Sequence, residues 1–370
     1  MCLLSLCSNW TLEEIDTLIT SESCEEAAKK LSSVEGKERT ITPHEIEQMY
    51  AHPLVDYARR VSRAHRKMAG LLETLAELNR LSKPPEMVYE RLCPEDFFQQ
   101  YYSLNRPVLF KGIVSDSPAA LKWSLEFFER EYGDEEAEVT LGRGSNNITY
   151  ELAPEKFQAR IPIKDFISRI REQAPTNDLY LTAGNHFLEN PAFSALLEDL
   201  PKDLGFFIPD TSHPNLFDLW IGPAGTTTHL HHDVDNVLLA QFYGSKKAYL
   251  IPAIELPKVS NTIGVFSSLN LSDQSALPSL RETCKTDVYE FTLEPGDALF
   301  IPVGWWHYVE ALTNSISITF HNLVPANKEI EWKDNFWLHG PAHWNASRGP
   351  EYNWNKSRRP EYQEPQEEGA

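Results

Sequence analysis

The chain has 370 residues, longer than an average single domain, so a large core domain with an appendage is expected. Its 54 acidic and 34 basic side chains leave a net charge of −20, which argues against a nucleic-acid backbone as partner. The five cysteines (Cys2, Cys7, Cys24, Cys93 and Cys284) form no CxxC pair and suit a reducing interior better than a secreted disulfide scaffold.

The N-terminal MCLLSLCSNW has no basic segment before its short apolar run, so no signal peptide is expected. No later stretch is apolar for long enough to span a membrane, and no membrane partner is expected. The expected compartment is the cytoplasm, with the nucleus open to it in a eukaryote. Thr11 followed by Glu14 reads as a capping box opening a helical stretch over 11–34. A longer helical region follows from Pro43 to Ser82. There Leu54, Ala58, Val61, Met68, Leu71, Leu75, Leu78 and Leu81 recur at spacings that fit one helical face, to be packed on its own domain or on a dimer partner. Arg59, Arg60, Arg63 and Arg66 crowd the remainder, and Arg59 to Lys67 offer a cationic docking surface as the lesser alternative. Lys83-Pro84-Pro85 stops that helix and closes an N-terminal helical region, 1–83.

Beyond it, Arg106 to Phe110 reads as a buried strand, 121–132 as a helix, and 138–141 and 148–152 as short strands. A helix over 163–173, a strand over 178–182 and a helix over 189–200 follow. From Leu216 to Phe320, short β segments separated by Gly, Pro, Asn and Ser suggest a sandwich or barrel. A Ser-, Asn- and Leu-rich insertion, Val259 to Thr286, interrupts them and is expected to face the substrate. An aromatic, helix-prone stretch then leads to a Pro- and Glu-rich tail expected to be disordered.

The stretch WIGPAGTTTHLHHDVDNVLLAQFYGSKKAYLIP, from Trp220 to Pro252, carries the chemistry. His231 and Asp233 stand two apart, so in a strand imidazole and carboxylate converge on one face. With a distant third histidine they form the two-histidine, one-carboxylate set that holds non-haem Fe(II) and leaves positions open. By the same period His229 shares that face, as an alternative ligand or pocket lining, and so does Asp235, as a substrate contact or a strand end. His232 points away. The Gly244-Ser245-Lys246 turn folds the chain back and can bring a buried cation near the same metal.

Together with EPGDALFIPVGWWHYVEALTNSISITF, this stretch resembles the JmjC (cupin-like) family of 2-oxoglutarate oxygenases. Within it the chain is most similar to the small hydroxylase branch that includes the asparaginyl hydroxylase of hypoxia-inducible factor. The resemblance covers residues 100–325. It implies a mainly β fold, a double-stranded β-helix (jelly-roll or cupin) core over 84–325. The N-terminal helical region precedes this core, and a C-terminal helical extension and tail follow over 326–370. It implies His231, Asp233 and His307 as Fe(II) ligands, with 2-oxoglutarate and then O2 in the open positions. Lys246 matches the lysine that pairs with the far carboxylate of 2-oxoglutarate; Lys247 falls on the opposite face by alternation. Thr228 matches a hydroxyl on the same carboxylate, Tyr180 in LYLTAGN resembles a tyrosine in that role, and His321 falls near the co-substrate. Two positions depart from the pattern: His229 stands where many relatives carry proline, and Val237 where they carry asparagine, with Asn236 one residue earlier.

The implied activity is hydroxylation of a protein or peptide side chain, or of an amino-acid-like molecule, with release of succinate and CO2. Asp233 occupies the position that would have to be vacant for chloride, which favours hydroxylation over halogenation. N-methyl-lysine demethylation begins the same way and is one alternative, although no reader module or zinc-binding cysteine set accompanies the domain. A non-catalytic cupin-type metal-binding scaffold is the other. Trp305 and Trp306 read as core packing, and the terminal helices are the candidate surfaces for a homodimer.

Overall fold

The computed structural model describes residues 11–33, 41–81, 86–144, 156–172 and 175–321, apart from positions 208, 210, 234, 260, 264, 274 and 284. The expected strand at 148–152 and the C-terminal extension and tail lie outside the described residues. The chain divides into two compact units, 1–81 and 82–370.

The first unit holds four helices: α1 (Leu12–Thr20), α2 (Cys24–Ser32), α3 (Pro43–Tyr50) and α4 (Pro53–Leu81). The capping box forms as expected. The Thr11 hydroxyl accepts from the Glu14 amide at 3.2 Å, and the Glu14 carboxylate accepts from the Thr11 amide at 2.8 Å. The stretch 11–34 is two helices and not one, because Ser23 leaves the helix to cap α2, accepting from the Glu26 amide at 3.1 Å. Serine hydroxyls compete in this way with the backbone ladder. Leu18, Ala27, Ala28, Leu31, Ile46, Met49 and Val55 form the core of the unit.

On helix α4 the large apolar side chains are exposed and not packed on their own domain, which leaves the dimer-partner alternative, whereas Arg59, expected among the charges outside the stripe, is buried. Its guanidinium donates to the Leu18 carbonyl at 2.8 Å and the Ile19 carbonyl at 3.3 Å, and lies 3.5 Å from the centre of the Tyr50 ring. A cation there satisfies carbonyls that the end of α1 leaves without helical partners. No helix among the described residues is long and apolar enough to cross a membrane.

The second unit is mainly β. One six-stranded sheet contains β1 (Val88–Tyr89), β2 (Val108–Phe110), β6 (Phe217–Gly222), β8 (Val237–Tyr243), β13 (Ala298–Ile301) and β15 (Ser315–Phe320). The other contains β7 (Thr227–His232), β9 (Lys246–Ile251), β10 (Asn261–Ile263), β11 (Phe266–Ser267), β12 (Tyr289–Leu293) and β14 (Trp306–Ala311). A three-stranded sheet of β3 (Glu136–Leu141), β4 (Gln158–Pro162) and β5 (Leu179–Tyr180) joins the first through a bridge between Leu181 and Ile221. This is the jelly-roll core expected of the family.

Alternation along the strands sorts side chains into layers. Ile316, Ile318 and Phe320 of β15 join an outer core with Phe128 of α5 (Leu125–Tyr132) and with Phe166 and Ile170 of α6 (Ile163–Glu172). Leu109, Leu239 and Leu299 meet Leu250, Leu293 and Val309 of the other sheet in an apolar filling. On the far side, Leu271 and Leu280 of the insertion cover Tyr249, Trp306 and Tyr308. Two expected helices differ. Residues 121–132 break at Ser124, which caps α5, and 189–200 forms a 3₁₀ segment, Pro191–Asp199.

The β8–β9 turn admits no side chain at Gly244. Its φ is +66°, and a Cβ there would stand 1.9 Å from the Asn314 carbonyl oxygen. Gly244→Ala should therefore lower stability by roughly 2 kcal/mol or more. The comparison of urea melts for wild type and variant checks this, and an unchanged midpoint would show that the turn relaxes freely.

Candidate metal centre and co-substrate pocket

Strand β7 runs between β11 and β14. Its pairing with β14 sets His231 opposite His307 and Thr228 opposite Val309. Three steps on β7 thus face two on β14, which is a β-bulge. The extra residue resets the alternation: Thr228 shares the inward face of His231, His307 and Val309, although an odd spacing separates it from His231. His229 leaves that face, and its buried Nε2 lies 3.0 Å from the Ser267 carbonyl oxygen. The expectation that His229 would join or replace a ligand is corrected here, because regular alternation does not hold across a bulge. His232 faces outward, its ring 4.8 Å from that of Trp306.

Among the described residues, His231, Asp233 and His307 form the group able to hold a metal ion, with one donor atom from each all within 4.8 Å of one another. His231 Nε2 is 3.8 Å from Asp233 Oδ1, and His307 Nε2 is 3.5 Å from Asp233 Oδ2. The opposite ring nitrogens face backbone oxygens: Nδ1 of His231 donates to the His229 carbonyl at 2.7 Å, and Nδ1 of His307 to that of Trp305 at 3.0 Å. Those bonds fix the tautomer and leave both Nε2 lone pairs facing the donor cluster. Burial pushes the His231 imidazole down to about 3, helped by neighbouring His307, and pushes His307 down to about 4. Both rings are neutral near pH 7, as ligation requires.

The turn before His307 is held from three sides. The Gly304 amide donates to the Asp233 carbonyl at 3.0 Å, the Val303 amide to Asn236 Oδ1 at 2.9 Å, and Asn105 Nδ2 to the Val303 carbonyl at 3.0 Å. Asn236 thus supports the loop that leads to His307, while Val237 begins β8 opposite Ile301. Asn105 has no motif around it and was not legible in the sequence. Trp305 does pack in the core, but its indole also donates to the Asn105 carbonyl at 2.8 Å.

Lys246 opens β9 and is 2% exposed. Its ammonium donates to Ser317 at 2.6 Å and to the Tyr180 hydroxyl at 3.0 Å. Among the described residues it has no carboxylate partner, so a buried cation stands ready for an anion. Lys247 faces the other way and pairs with Glu290 at 2.6 Å. Tyr180 reaches Lys246 because Gly222 lacks a side chain: a Cβ there would fall 2.5 Å from the tyrosine ring. The buried Arg143 lies 5.0 Å from that ring and donates to the Thr227 carbonyl at 2.7 Å. Ser317, unassigned from sequence, belongs to the polar side of β15 with Ser315 and Thr319; Thr319 accepts from the Trp220 indole at 3.1 Å. The signal for Ser317 was the alternation SISITF, whose polar face would ordinarily be read as solvated. His321 lies between two carboxylates, Nε2 3.1 Å from Asp218 and Nδ1 3.3 Å from Asp235.

The depressed histidines give a pH prediction for the metal-free protein. In the unfolded chain both rings take up protons below about pH 6.5, while the folded protein resists to about 4 at His307 and 3 at His231. Their contribution to stability is whole above pH 6.5 and is lost as pH falls toward those folded values. Replacing both with asparagine should flatten the decline of melting temperature between pH 6.5 and 4. A decline as steep as that of wild type would show that other groups govern it.

Residues 94–322 match the cupin-like domain. The chain is 31% identical over 243 residues to the lysine-specific demethylase JMJ30 of Arabidopsis thaliana, covering 62% of this chain and 52% of that protein. It is 29% identical over 237 residues to lysine-specific demethylase 8 of Xenopus tropicalis, covering 62% and 51%. With tRNA wybutosine-synthesizing protein 5 of Danio rerio it shares 27% identity over 279 residues, covering 71% and 78%. The chain thus spans about half the length of the two demethylases. Since the match takes in the jelly-roll core from β2 to β15 together with the His231, Asp233 and His307 group, the chain belongs to the family of cupin-like domain proteins.

Proposed function

We propose that the chain is an Fe(II)- and 2-oxoglutarate-dependent oxygenase, one of the small hydroxylases of the kind that includes the asparaginyl hydroxylase of hypoxia-inducible factor. Its substrate is a protein or peptide side chain, or an amino-acid-like molecule. The observation that carries this reading is the conjunction of a two-histidine, one-carboxylate cluster with the buried Lys246, which has no carboxylate partner among the described residues. The donor set fits Fe(II): two neutral imidazoles and one carboxylate bind it without closing its coordination sphere.

When bound, Fe(II) with 2-oxoglutarate and dioxygen supplies the oxidation of a C–H bond, coupled to release of succinate and CO2. The chain's own residues bind and orient. His231, Asp233 and His307 hold the metal. Lys246 takes the far carboxylate of 2-oxoglutarate, with the hydroxyls of Tyr180 and Thr228 donating to the same anion. His321 stands near the co-substrate, kept in orientation by Asp218 and Asp235. The apolar filling of Leu239, Leu250 and Leu299 keeps water from one end of the space between the sheets.

N-methyl-lysine demethylation is the second reading, favoured by the names of the Arabidopsis and Xenopus relatives. It uses the same residues and differs only in the carbon that is oxidised. The name of the Danio relative refers to tRNA, but a net charge of −20 weighs against a polyanionic partner here.

Anaerobic addition of Fe(II) and then 2-oxoglutarate to the metal-free protein should produce the weak visible charge-transfer band of the chelated complex, and His307→Ala should abolish it. Metal binding without the band would overturn the oxygenase reading in favour of a scaffold. Lys246→Ala should retain the metal but weaken 2-oxoglutarate affinity by about tenfold or more, the equivalent of at least one lost charge-assisted bond. Formaldehyde release from methyl-lysine peptides would select demethylation; gain of one oxygen atom by an unmethylated peptide would select hydroxylation.

A further inference from the structure

The exposed stripe of α4 is more regular than an incidental apolar face. Leu54, Val61, Met68 and Leu75 recur every seven residues, and Tyr57, Ala64, Leu71 and Leu78 recur every seven between them. This alternating three- and four-residue spacing is the a/d seam of a coiled coil. The seven large side chains on it are each between 42% and 69% exposed, and Ala64 is exposed as well. The buried positions of the same helix, Val55, Arg59 and Ala76, fall outside the seam. The helix is 29 residues long, or about 43 Å at 1.5 Å per residue. Half-exposed side chains of this size amount to several hundred Å² on one helix, near the ~800 Å² per partner of a specific interface and above what a lone monomer ordinarily leaves bare.

We propose that this seam is a homodimer interface, in which α4 pairs with α4 of a second copy as an antiparallel two-stranded coiled coil. Size and charge both select the antiparallel sense. Setting Leu54 against Leu78 of the second copy puts Val61 on Leu71, Met68 on Ala64 and Leu75 on Tyr57, so the small residue of the seam meets the long flexible one. Arg60, Arg63, Arg66 and Lys67 crowd the first half of the helix against the single acid Asp56, and Glu73 and Glu77 lie in the second with the single base Arg80. A parallel pair would stack the basic halves together, whereas an antiparallel pair sets each alongside the net-acidic half of the other copy. Lys67 meets its own copy at the two-fold axis, where its long stem carries the ammonium out to water.

The proposal is independent of the metal centre and is tested on the full chain. Light scattering coupled to size exclusion should give twice the 42.3 kDa chain mass for wild type. Val61→Glu and Leu71→Lys should each halve that mass and remove the concentration dependence of the melting temperature, while leaving the far-UV circular dichroism and Fe(II) binding as in wild type. Mixing the two variants should restore the dimer, because in the antiparallel register position 61 of one copy faces position 71 of the other. A monomeric wild type, or a dimer indifferent to both substitutions, would overturn the proposal: the first would leave the seam to another segment of the same chain or to a different partner. Two monomeric variants that do not recombine would overturn the antiparallel pairing.

Discussion

The antiparallel pairing of β7 with β14 is the constraint on which the rest of the second unit depends. It sets two histidines far apart in sequence directly opposite each other, with ring centres 4.1 Å apart. The same pairing contains the bulge that brings Thr228 onto their face. Both imidazoles are then locked by the carbonyl two residues earlier in the chain, so the backbone that sets the pairing also defines the direction of the nitrogen lone pairs. A one-residue slip in this register would turn the ring on the slipped strand to the opposite face and separate the two histidines.

Polar side chains between two sheets are unfavourable unless each finds a partner, and the interior is organised by that requirement. Ser317 and Tyr180 accept from Lys246, Trp220 donates to Thr319, and His321 divides itself between Asp218 and Asp235. These contacts satisfy hydrogen bonds at Lys246 without neutralising its charge. An anion of the right length would complete the set, which is why the lysine carries as much of the functional reading as the metal ligands do. The low-dielectric surroundings that depress His231 and His307 strengthen the attraction for such an anion.

Much of this arrangement was legible in the sequence, and the parts that were not share a physical cause. His231, Asp233 and Lys246 could be found because an i, i+2 pair and a glycine turn are local signals. Thr228 was reachable only through family resemblance, since its odd spacing from His231 contradicts strand alternation until the bulge is seen. His229 was misjudged for the same reason. Asn105 acts through contacts with residues distant in the chain and no local pattern marks it, while the polar face of SISITF that holds Ser317 reads as a solvated one. In the first unit, Thr11 and Glu14 announced their own capping box, but Arg59 looked like a solvated charge because the carbonyls that it serves belong to another helix. The apolar stripe of α4 was recognised as one face of a helix; that it would point to solvent cannot be read from periodicity.

Tyr180 comes from β5, a strand of the small third sheet, while each residue of the candidate donor group comes from β7, the residue just after it, or β14. The tyrosine beside Lys246 and the donor group therefore come from separate pieces of chain. Residues 136–180 also carry Arg143 and Asn177, which hold the backbone of Thr227 at the start of β7, so the segment supports the strand of His231 as well as supplying the tyrosine beside Lys246. A substitution confined to the Tyr180 hydroxyl, by contrast, would change the surroundings of the Lys246 ammonium and leave all three donor side chains in place.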